Sequence, residues 1–209
     1  LAAGWKTRTL LLDTGLSGLP QMRKRAFLFA VRTPRDIPIP EFQKKPHRPL
    51  KSILPVPAHA ANHVPRALTP NSRSAKIAAR IGMGQKLCNV RLSQDAVRTW
   101  SIGEVFGYTT PGEQEVLEAF VRLRRRNRKR LWGDADPVSI EAITAELRRD
   151  CDQDISRLLQ KLYLREKEPG AFDLTHTYNG KFKRLHPQKP TNSVLTKFFD
   201  PTHFLHPFE

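Results

Sequence analysis

A glutamine and two arginines near the start of the chain, Gln21, Arg23 and Arg25, stand in a short polar stretch between two apolar runs. An arginine guanidinium stays charged and can pair with two acceptors at once, so these side chains are suited to bind a ligand that presents paired acceptors. The flanking runs, residues 9–12 and 26–31, have the composition of strands that are covered on both faces. The pattern predicts that the three side chains lie at the end of a rigid strand, where α/β enzymes keep their working groups.

The densest group of cations follows a predicted helix that begins after Thr110. Six of the seven residues 124–130 are basic. Cations this close repel one another on an isolated helix, so the run is unfavourable unless an anion or an acidic partner surface neutralises it. We expect several of these side chains to contact phosphates, with a solvated face as the alternative: Arg124, Arg125, Arg126, Arg128, Lys129 and Arg130.

A third group of polar side chains, Asn62, His63 and Arg66, precedes the first predicted helix. These residues could donate hydrogen bonds to base edges or to phosphates. The alternative is that Asn62 and His63 satisfy backbone groups in a turn.

A proline-rich basic connector is predicted over residues 34–70. Its prolines remove backbone donors and exclude long helices, which leaves extended segments. Five basic or imidazole side chains lie among them: Lys44, Lys45, His47, Arg48 and Lys51. Such a segment could follow a phosphate backbone, and a solvated interdomain linker is equally consistent with the pattern.

The two cysteines, Cys88 and Cys151, show no pattern of a metal site or of a disulfide framework, because no CxxC spacing occurs. Neither follows a proline, and acids surround Cys151, which disfavours a reactive thiolate. We expect no metal and no catalytic thiol in this chain.

Helical periodicity predicts one helix over residues 71–81 and three more between Thr110 and Tyr163, before a hairpin signal at Pro169-Gly170. Three helices and a hairpin in this order resemble a winged helix, whose third helix usually enters the major groove of DNA. Here the third helix begins with three acids that phosphates would repel, which favours a packing role: Asp150, Asp152 and Asp154.

The formal net charge is +16, and most of the excess lies in residues 1–110, which hold 18 Lys/Arg against 5 Asp/Glu. A field of this size predicts a polyanionic partner, most commonly nucleic acid, with a ribosomal or membrane-surface role as the competitor. No apolar run is long enough to span a bilayer, and no secretory leader opens the sequence. We therefore expect a cytoplasmic protein without a membrane partner, associated with the nucleoid if it is bacterial.

Two separated stretches resemble the DNA (cytosine-5) methyltransferases. Residues 11–28 contain Gly18-Leu19-Pro20, then Gln21, Arg23 and Arg25, then a strand, and are similar to the family segment that ends in glutamine-any-arginine-any-arginine. Residues 178–191, continuing to His206-Pro207, look like the end of the family's target-recognition region. The two stretches occur in the family's order.

The resemblance implies methyl transfer from S-adenosylmethionine to carbon 5 of a cytosine that has been rotated out of double-stranded DNA. By the same match, Arg25 would reach the cytosine and Arg23 the DNA backbone, with Gln21 at the same active-site rim. Further DNA contacts are expected from basic residues of the second stretch: Lys181, Lys183, Arg184 and Lys197.

Several parts of the family pattern do not occur in the sequence: a Gly-rich loop for the methyl donor, a Pro-Cys nucleophile and a Glu-Asn-Val acid. Ser17 also stands where an aromatic residue is usual, and the family's next Arg-rich helix is not reached. The expectation is a fragment, or one product of a divided gene, that is inactive alone. S-adenosylmethionine would then bind on a missing N-terminal catalytic half or complementary subunit.

The predicted fold class is α+β, with terminal strands of an α/β methyltransferase-like sheet joined to a target-recognition domain that contains a winged-helix-like three-helix unit. The predicted parts are late catalytic strands (1–33), the connector (34–70), the recognition domain (71–176, with the three-helix unit at 110–176) and a return segment (177–209). The predicted function is DNA binding and target recognition within a cytosine-5 DNA methyltransferase. The alternatives are a stand-alone winged-helix DNA-binding regulator without enzymatic activity and a basic structural protein of a ribonucleoprotein.

Overall fold

The computed structural model describes residues 4–36, 38, 41–57, 59–61, 67–128, 136–193 and 200–208. These residues form small sheets and helices of a mixed α+β protein, which confirms the predicted fold class at that level. The strands are β1 (Trp5–Asp13), β2 (Gln21–Met22), β3 (Lys24–Arg32), β4 (Lys86–Cys88), β5 (Ala96–Val97), β6 (Val138–Ser139), β7 (Leu164–Glu168), β8 (Ala171–Leu174), β9 (Asn179–Lys181), β10 (Lys183–Arg184), β11 (Thr191–Asn192) and β12 (Phe204–Leu205). The helices are α1 (Arg73–Arg80), α2 (Gly103–Phe106), α3 (Pro111–Arg126), α4 (Ile140–Leu147) and α5 (Asp152–Gln160).

The chain divides into two compact units. The first unit comprises Leu1–Pro65 and Leu185–Phe198, and the second comprises Arg66–Arg184 and Phe199–Glu209. The first unit thus joins the predicted late strands to much of the connector and to part of the return segment. Strand pairing between distant segments produces this grouping, and composition along the chain carries no signal of it.

The first unit contains an antiparallel ribbon of β1 and β3, with Leu10 opposite Phe27 and Leu12 opposite Arg25. The sequence located both strands, but the expected cover on both faces is wrong for the described residues, because every residue of β3 is exposed. Phe27 and Leu28 are 45% and 70% exposed and, as neighbours on a strand, point to opposite faces. The ribbon therefore presents apolar side chains on both sides.

The second unit has a helical core built from α3, α4 and α5. Helix α3 begins with a capping box, in which the Thr110 hydroxyl accepts from the Glu113 N–H and the Glu113 carboxylate accepts from the Thr110 N–H. Pro111 fits the first turn because its missing N–H would have no partner there. The helices bury one apolar face each against the others, through residues that include Val116, Leu117, Phe120, Ile143, Ile155 and Leu158.

A three-stranded antiparallel sheet packs with these helices, in the spatial order β6-β8-β7. Strands β7 and β8 form the hairpin expected at Pro169-Gly170, and Gly170 adopts a positive φ of 72° that the tight turn requires. The order along the chain is helix, strand, helix, helix, strand, strand.

A second apolar core in the same unit joins α1 to the sheet β5-β4-β9. The predicted helix over residues 71–81 is α1, which begins after Ser72, whose hydroxyl accepts from the Ala75 N–H at 3.2 Å. The buried residues of this core include Ile77, Ile81, Leu87, Ile102 and Phe182.

Candidate nucleic-acid interface

The loop between β1 and β2 fixes the position of the Gln21-Met22-Arg23 stretch. Its turn is held by the Asp13 carboxylate, which accepts from the Gly15 N–H at 3.0 Å. The Thr14 hydroxyl donates to the Gln21 carbonyl at 2.9 Å, and the Thr14 N–H donates to the Arg23 carbonyl at 3.1 Å. These hydrogen bonds fix the backbone of residues 21–23, so Arg23 is held directly before β3.

The stretch around Gln21 meets the end of the stretch 178–191 in the first unit. Strand β2 pairs in parallel with β11, which places Gln21 opposite Thr191. The Ser193 hydroxyl donates to the Met22 carbonyl at 3.3 Å across a separation of 171 residues. The order of the two stretches along the sequence does not by itself require this contact.

The side chains of Arg23 and Arg25 are exposed beside this pairing, and Gln21 is half-buried. Arg25 Nη1 donates to the Lys24 carbonyl at 2.7 Å. Among the described residues, no carboxylate forms an ion pair with Arg23 or Arg25. The remaining guanidinium donors can therefore bind an outside acceptor such as a nucleobase or a phosphate.

Arg124, the first residue of the predicted phosphate-binding run, lies inside the second unit. Its side chain is 7% exposed and pairs with Asp173, with Nε to Oδ1 at 2.9 Å. This geometry contradicts the expectation that Arg124 contacts DNA. The run is partly neutralised from within the chain, which is why the helix tolerates it.

The next cations of the run differ from one another. Arg126 pairs with Glu146 at 2.9 Å, and Arg122, one turn earlier, pairs with the same carboxylate at 3.1 Å. Arg125 and Arg128 are exposed. Arg125 has no ion-pair partner among the described residues, so its charge remains available to a ligand.

Arg184 also has a structural place. Its guanidinium donates to the carbonyls of Ala78, Ile81 and His206 at 3.0, 2.7 and 2.8 Å. Two of these carbonyls belong to the C-terminal end of α1, where a cation is favoured by the helix dipole. Burial lowers the pKa of Arg184. Three of the five guanidinium N–H donors of Arg184 are used in these bonds, so the side chain has a structural role, and the expected DNA contact stays a prediction.

The two lysines of the same stretch are half-buried. Lys181 Nζ lies 2.8 Å from His203 Nε2. Burial lowers the pKa of Lys183, with the charge of Lys86 acting in the same direction. Six other predicted contacts lie outside the described residues: Asn62, His63, Arg66, Lys129, Arg130 and Lys197.

The acids at the start of α5 do not all face outward. Asp154 is buried and accepts from Arg149 at 2.7 Å and from Arg157 at 2.5 Å. Burial alone would raise the pKa of Asp154, but these two arginines outweigh it and hold the pKa below its usual value. Asp154 therefore does not face outward, in line with the packing role that the sequence analysis favours for this helix. The exposed side of α5 carries Asp152, Gln153, Ser156, Arg157 and Gln160.

The acids that pair with Arg124 and Arg126 were not singled out in the sequence analysis. Asp173 meets Arg124 across 49 residues, and Glu146 meets Arg126 across 20. Glu113 could have been found in part, since it stands three residues after Thr110 in a capping-box pattern. Long-range pairs leave no periodic signal in a single sequence.

Three cavities among the described residues bear on small-ligand binding. Their volumes are about 190, 490 and 360 Å³, and none of their linings contains an aspartate or a glutamate. S-adenosylmethionine carries a sulfonium cation and ribose hydroxyls, which acids would recognise, so these cavities do not fit the methyl donor.

A metal site or a reactive thiol would each need a particular arrangement of side chains in the part of the chain that the structure describes. There, no group of three His, Cys, Asp or Glu side chains is arranged to hold a metal ion. Both cysteines are buried, and burial raises the pKa of Cys151. No described helix combines the length and the apolar composition needed to cross a membrane.

Comparison of the chain with protein-family models, with curated proteins and with solved structures found no match. The strongest local arrangement is the exposed pair Arg23 and Arg25 beside the β2–β11 pairing.

Proposed function

We propose that the chain is the DNA-binding and target-recognition part of a cytosine-5 DNA methyltransferase. The observation that carries this proposal is the pairing of β2 with β11, which joins the two stretches that resemble the family. Two unrelated accidental resemblances would have no reason to meet in space. In this function Arg25 contacts the extruded cytosine, Arg23 contacts a phosphate, and Gln21 supports the rim between them.

The second unit would supply recognition of the target sequence. Its order of helices and strands, with the sheet order β6-β8-β7, is typical of a winged helix. The exposed side of α5 carries Gln153, Ser156 and Gln160, whose side chains can hydrogen-bond to base edges. The acids at the start of α5 would repel phosphates, but this repulsion is reduced because Arg149 and Arg157 neutralise Asp154 within the chain.

The methyl donor and the nucleophile would come from a second polypeptide segment, here called the donor half. When bound there, S-adenosylmethionine supplies the methyl group. The β1–β3 ribbon supports the need for such a partner, because Leu11, Phe27 and Leu28 are 68%, 45% and 70% exposed on its two faces. Two-stranded ribbons are marginally stable alone, and a sheet with layers on both faces would cover these side chains.

The proposal is tested by methyl transfer from labelled S-adenosylmethionine to duplex DNA, with the chain assembled with its donor half. Arg25→Ala is expected to lower the rate by about 100-fold or more, because a positioned donor at the reacting base is lost. Arg25→Lys should recover little, since an ammonium cannot reproduce the planar fork. The matched control is Arg32→Ala, an exposed arginine at the other end of the same strand, which should change the rate by less than about 2-fold.

Equal effects of Arg25→Ala and Arg32→Ala would contradict the proposed role of the motif. The enzyme assignment would be contradicted if no donor half restored methyl transfer, including the product of the adjoining open reading frame.

The second candidate is a stand-alone DNA-binding regulator. The observation that favours it is the well-packed core of the three-helix part, which includes the fully buried Phe120, Ile143 and Leu158. In that case, Arg23→Ala and Arg25→Ala would leave sequence-specific DNA binding unchanged, and methyl transfer would be absent with every donor half.

A further inference from the structure

Residues 44–51 of the first unit, here called the basic segment, are docked onto the folded chain. The Lys45 N–H donates to the Leu16 carbonyl at 2.6 Å. At the other end, the Leu50 N–H donates to the Lys189 carbonyl at 3.1 Å, and the Leu50 side chain is 5% exposed. These contacts at both ends favour a fixed surface over the solvated linker that the sequence left open.

The basic segment rests on the same loop that positions Arg23. Ser17 forms a parallel bridge with Lys45, and the Thr14 N–H of that loop holds the Arg23 carbonyl. The approach is close at Gly15, where a side-chain Cβ would clash with the imidazole ring of His47. A glycine at this position leaves room for the segment to lie against the loop.

Among the described residues, no acid forms an ion pair with the cations of the basic segment. The side chains of Lys44, Lys45, Arg48 and Lys51 belong to exposed residues, and none has an ion-pair partner in the part of the chain that the structure describes. The first unit holds 13 Lys/Arg against 3 Asp/Glu. Of the three acids, Asp36 pairs with Lys6 at 2.9 Å, and Asp13 accepts from the loop backbone.

Residues 44–49 of the basic segment are not helical, and a single 3-10 turn begins at Leu50. Pro46 and Pro49 cannot take part in a helix interior, and Pro49 has φ −70° and ψ 149°. Residues 44–49 therefore span at most about 17 Å. That is the axial length of about five phosphates along one strand of B-DNA.

We propose that the basic segment binds the DNA backbone beside the target base, as a phosphate contact separate from Arg23 and Arg25. Phe42 and Ile53 are exposed on either side of the basic segment, but within residues 44–51 Leu50 is buried and every exposed charge is cationic. Such a row fits a phosphate backbone better than a folded acidic protein, because protein interfaces bury an apolar centre. The inference rests on the proposed function for the choice of DNA as the polyanion. It requires neither methyl transfer nor the donor half.

The test uses the full chain and a duplex of about 30 base pairs, with the dissociation constant measured across a range of salt concentrations. The variant carries Lys44→Gln, Lys45→Gln and Arg48→Gln, which removes three charges but keeps the aliphatic stems. We expect the slope of log K against log salt to become shallower by about 2–3, since each lost phosphate contact contributes about 0.9. The matched control removes three exposed charges from the second unit, through Lys76→Gln, Arg91→Gln and Arg148→Gln, and should change the slope by less than about 1.

Thermal unfolding of both triple variants checks that the fold is kept, and Lys51→Gln alone, with an expected change of about 0.9, provides a second measurement if the triple variant fails to fold. An unchanged slope for the triple variant overturns the inference while leaving methyl transfer by the assembled enzyme intact.

A parallel measurement with polyglutamate distinguishes the partner. Loss of polyglutamate binding with an unchanged DNA slope would assign the basic segment to an acidic protein instead. A wild-type chain that binds no duplex would overturn both the inference and the proposed function.

Discussion

At the scale of single residues, internal partners decide which cations can serve a ligand. Arg124 and Arg184 look like DNA contacts in the sequence, yet each uses its guanidinium inside the second unit. Arg23 and Arg25 have no such acid partner among the described residues, and Arg125 resembles them in this respect. The residue type therefore indicates that an arginine could bind a phosphate or a base, and the long-range contacts decide which arginines remain available to do so.

The neighbouring pair Arg124 and Arg125 provides a direct test of this distinction. Arg124→Met should destabilise the protein by about 3 kcal/mol, because it removes the close buried partner of Asp173 and leaves only the more exposed Arg165, 3.9 Å away. Arg125→Met, at an exposed position on the same helix, should change the free energy of unfolding by less than about 0.5 kcal/mol. Urea unfolding measures both values. Similar stability of the two variants, with weaker DNA binding by Arg124→Met, would return Arg124 to the DNA surface.

At the scale of elements, local signals located most helices and the hairpin. The capping box at Thr110, the apolar spacing of α3 to α5 and the Pro169-Gly170 turn each act within a few residues, so a single sequence contains them. The parallel pairing of β2 with β11 could not be predicted, because its partners are 171 residues apart at Met22 and Ser193. The burial expected for β3 was also wrong, because the burial of a strand depends on which distant segments pack against it.

The contact between α3 and α5 depends on the charge of Glu113. This carboxylate is fully buried and accepts from Lys161 at 2.7 and 2.8 Å and from Arg157 at 3.1 Å. Burial alone would raise the pKa of Glu113, but these cations and the Thr110 N–H outweigh it and hold the pKa below its usual value. The ionised form is therefore the one that stabilises the folded state.

The pH dependence of stability should reveal this carboxylate. Because the pKa is lower in the folded than in the unfolded protein, the stabilisation is complete above the unfolded pKa and is lost as the pH falls through the folded pKa. Glu113→Gln should be less stable than the wild type at pH 7 by about 1–3 kcal/mol, and the difference should shrink as the pH falls below the pKa of an unfolded glutamate. Urea unfolding at several pH values measures the difference. Glu118→Gln, exposed on the same helix, is the control, and a difference for Glu113→Gln that stays constant down to low pH would refute the assignment.

At the scale of the whole molecule, composition showed where the positive charge is concentrated along the chain but not which surfaces lie beside it. The first unit, with 13 Lys/Arg and 3 Asp/Glu, holds much of the excess charge, and it also holds the exposed apolar ribbon. A cationic surface for DNA and an uncovered ribbon for a partner are both expected of a recognition part that works with a donor half. Sequence patterns predicted covered strands because they record composition, whereas cover depends on what packs against them.

The most direct test of the central claim is the structure of the chain, assembled with its donor half, on a duplex that contains the target cytosine. We expect the cytosine to be rotated out of the helix, with the Arg25 guanidinium about 3 Å from an acceptor of the base and Arg23 facing a neighbouring phosphate. A duplex that stays stacked while the chain is bound, with Arg23 and Arg25 turned toward solvent, would contradict the claim.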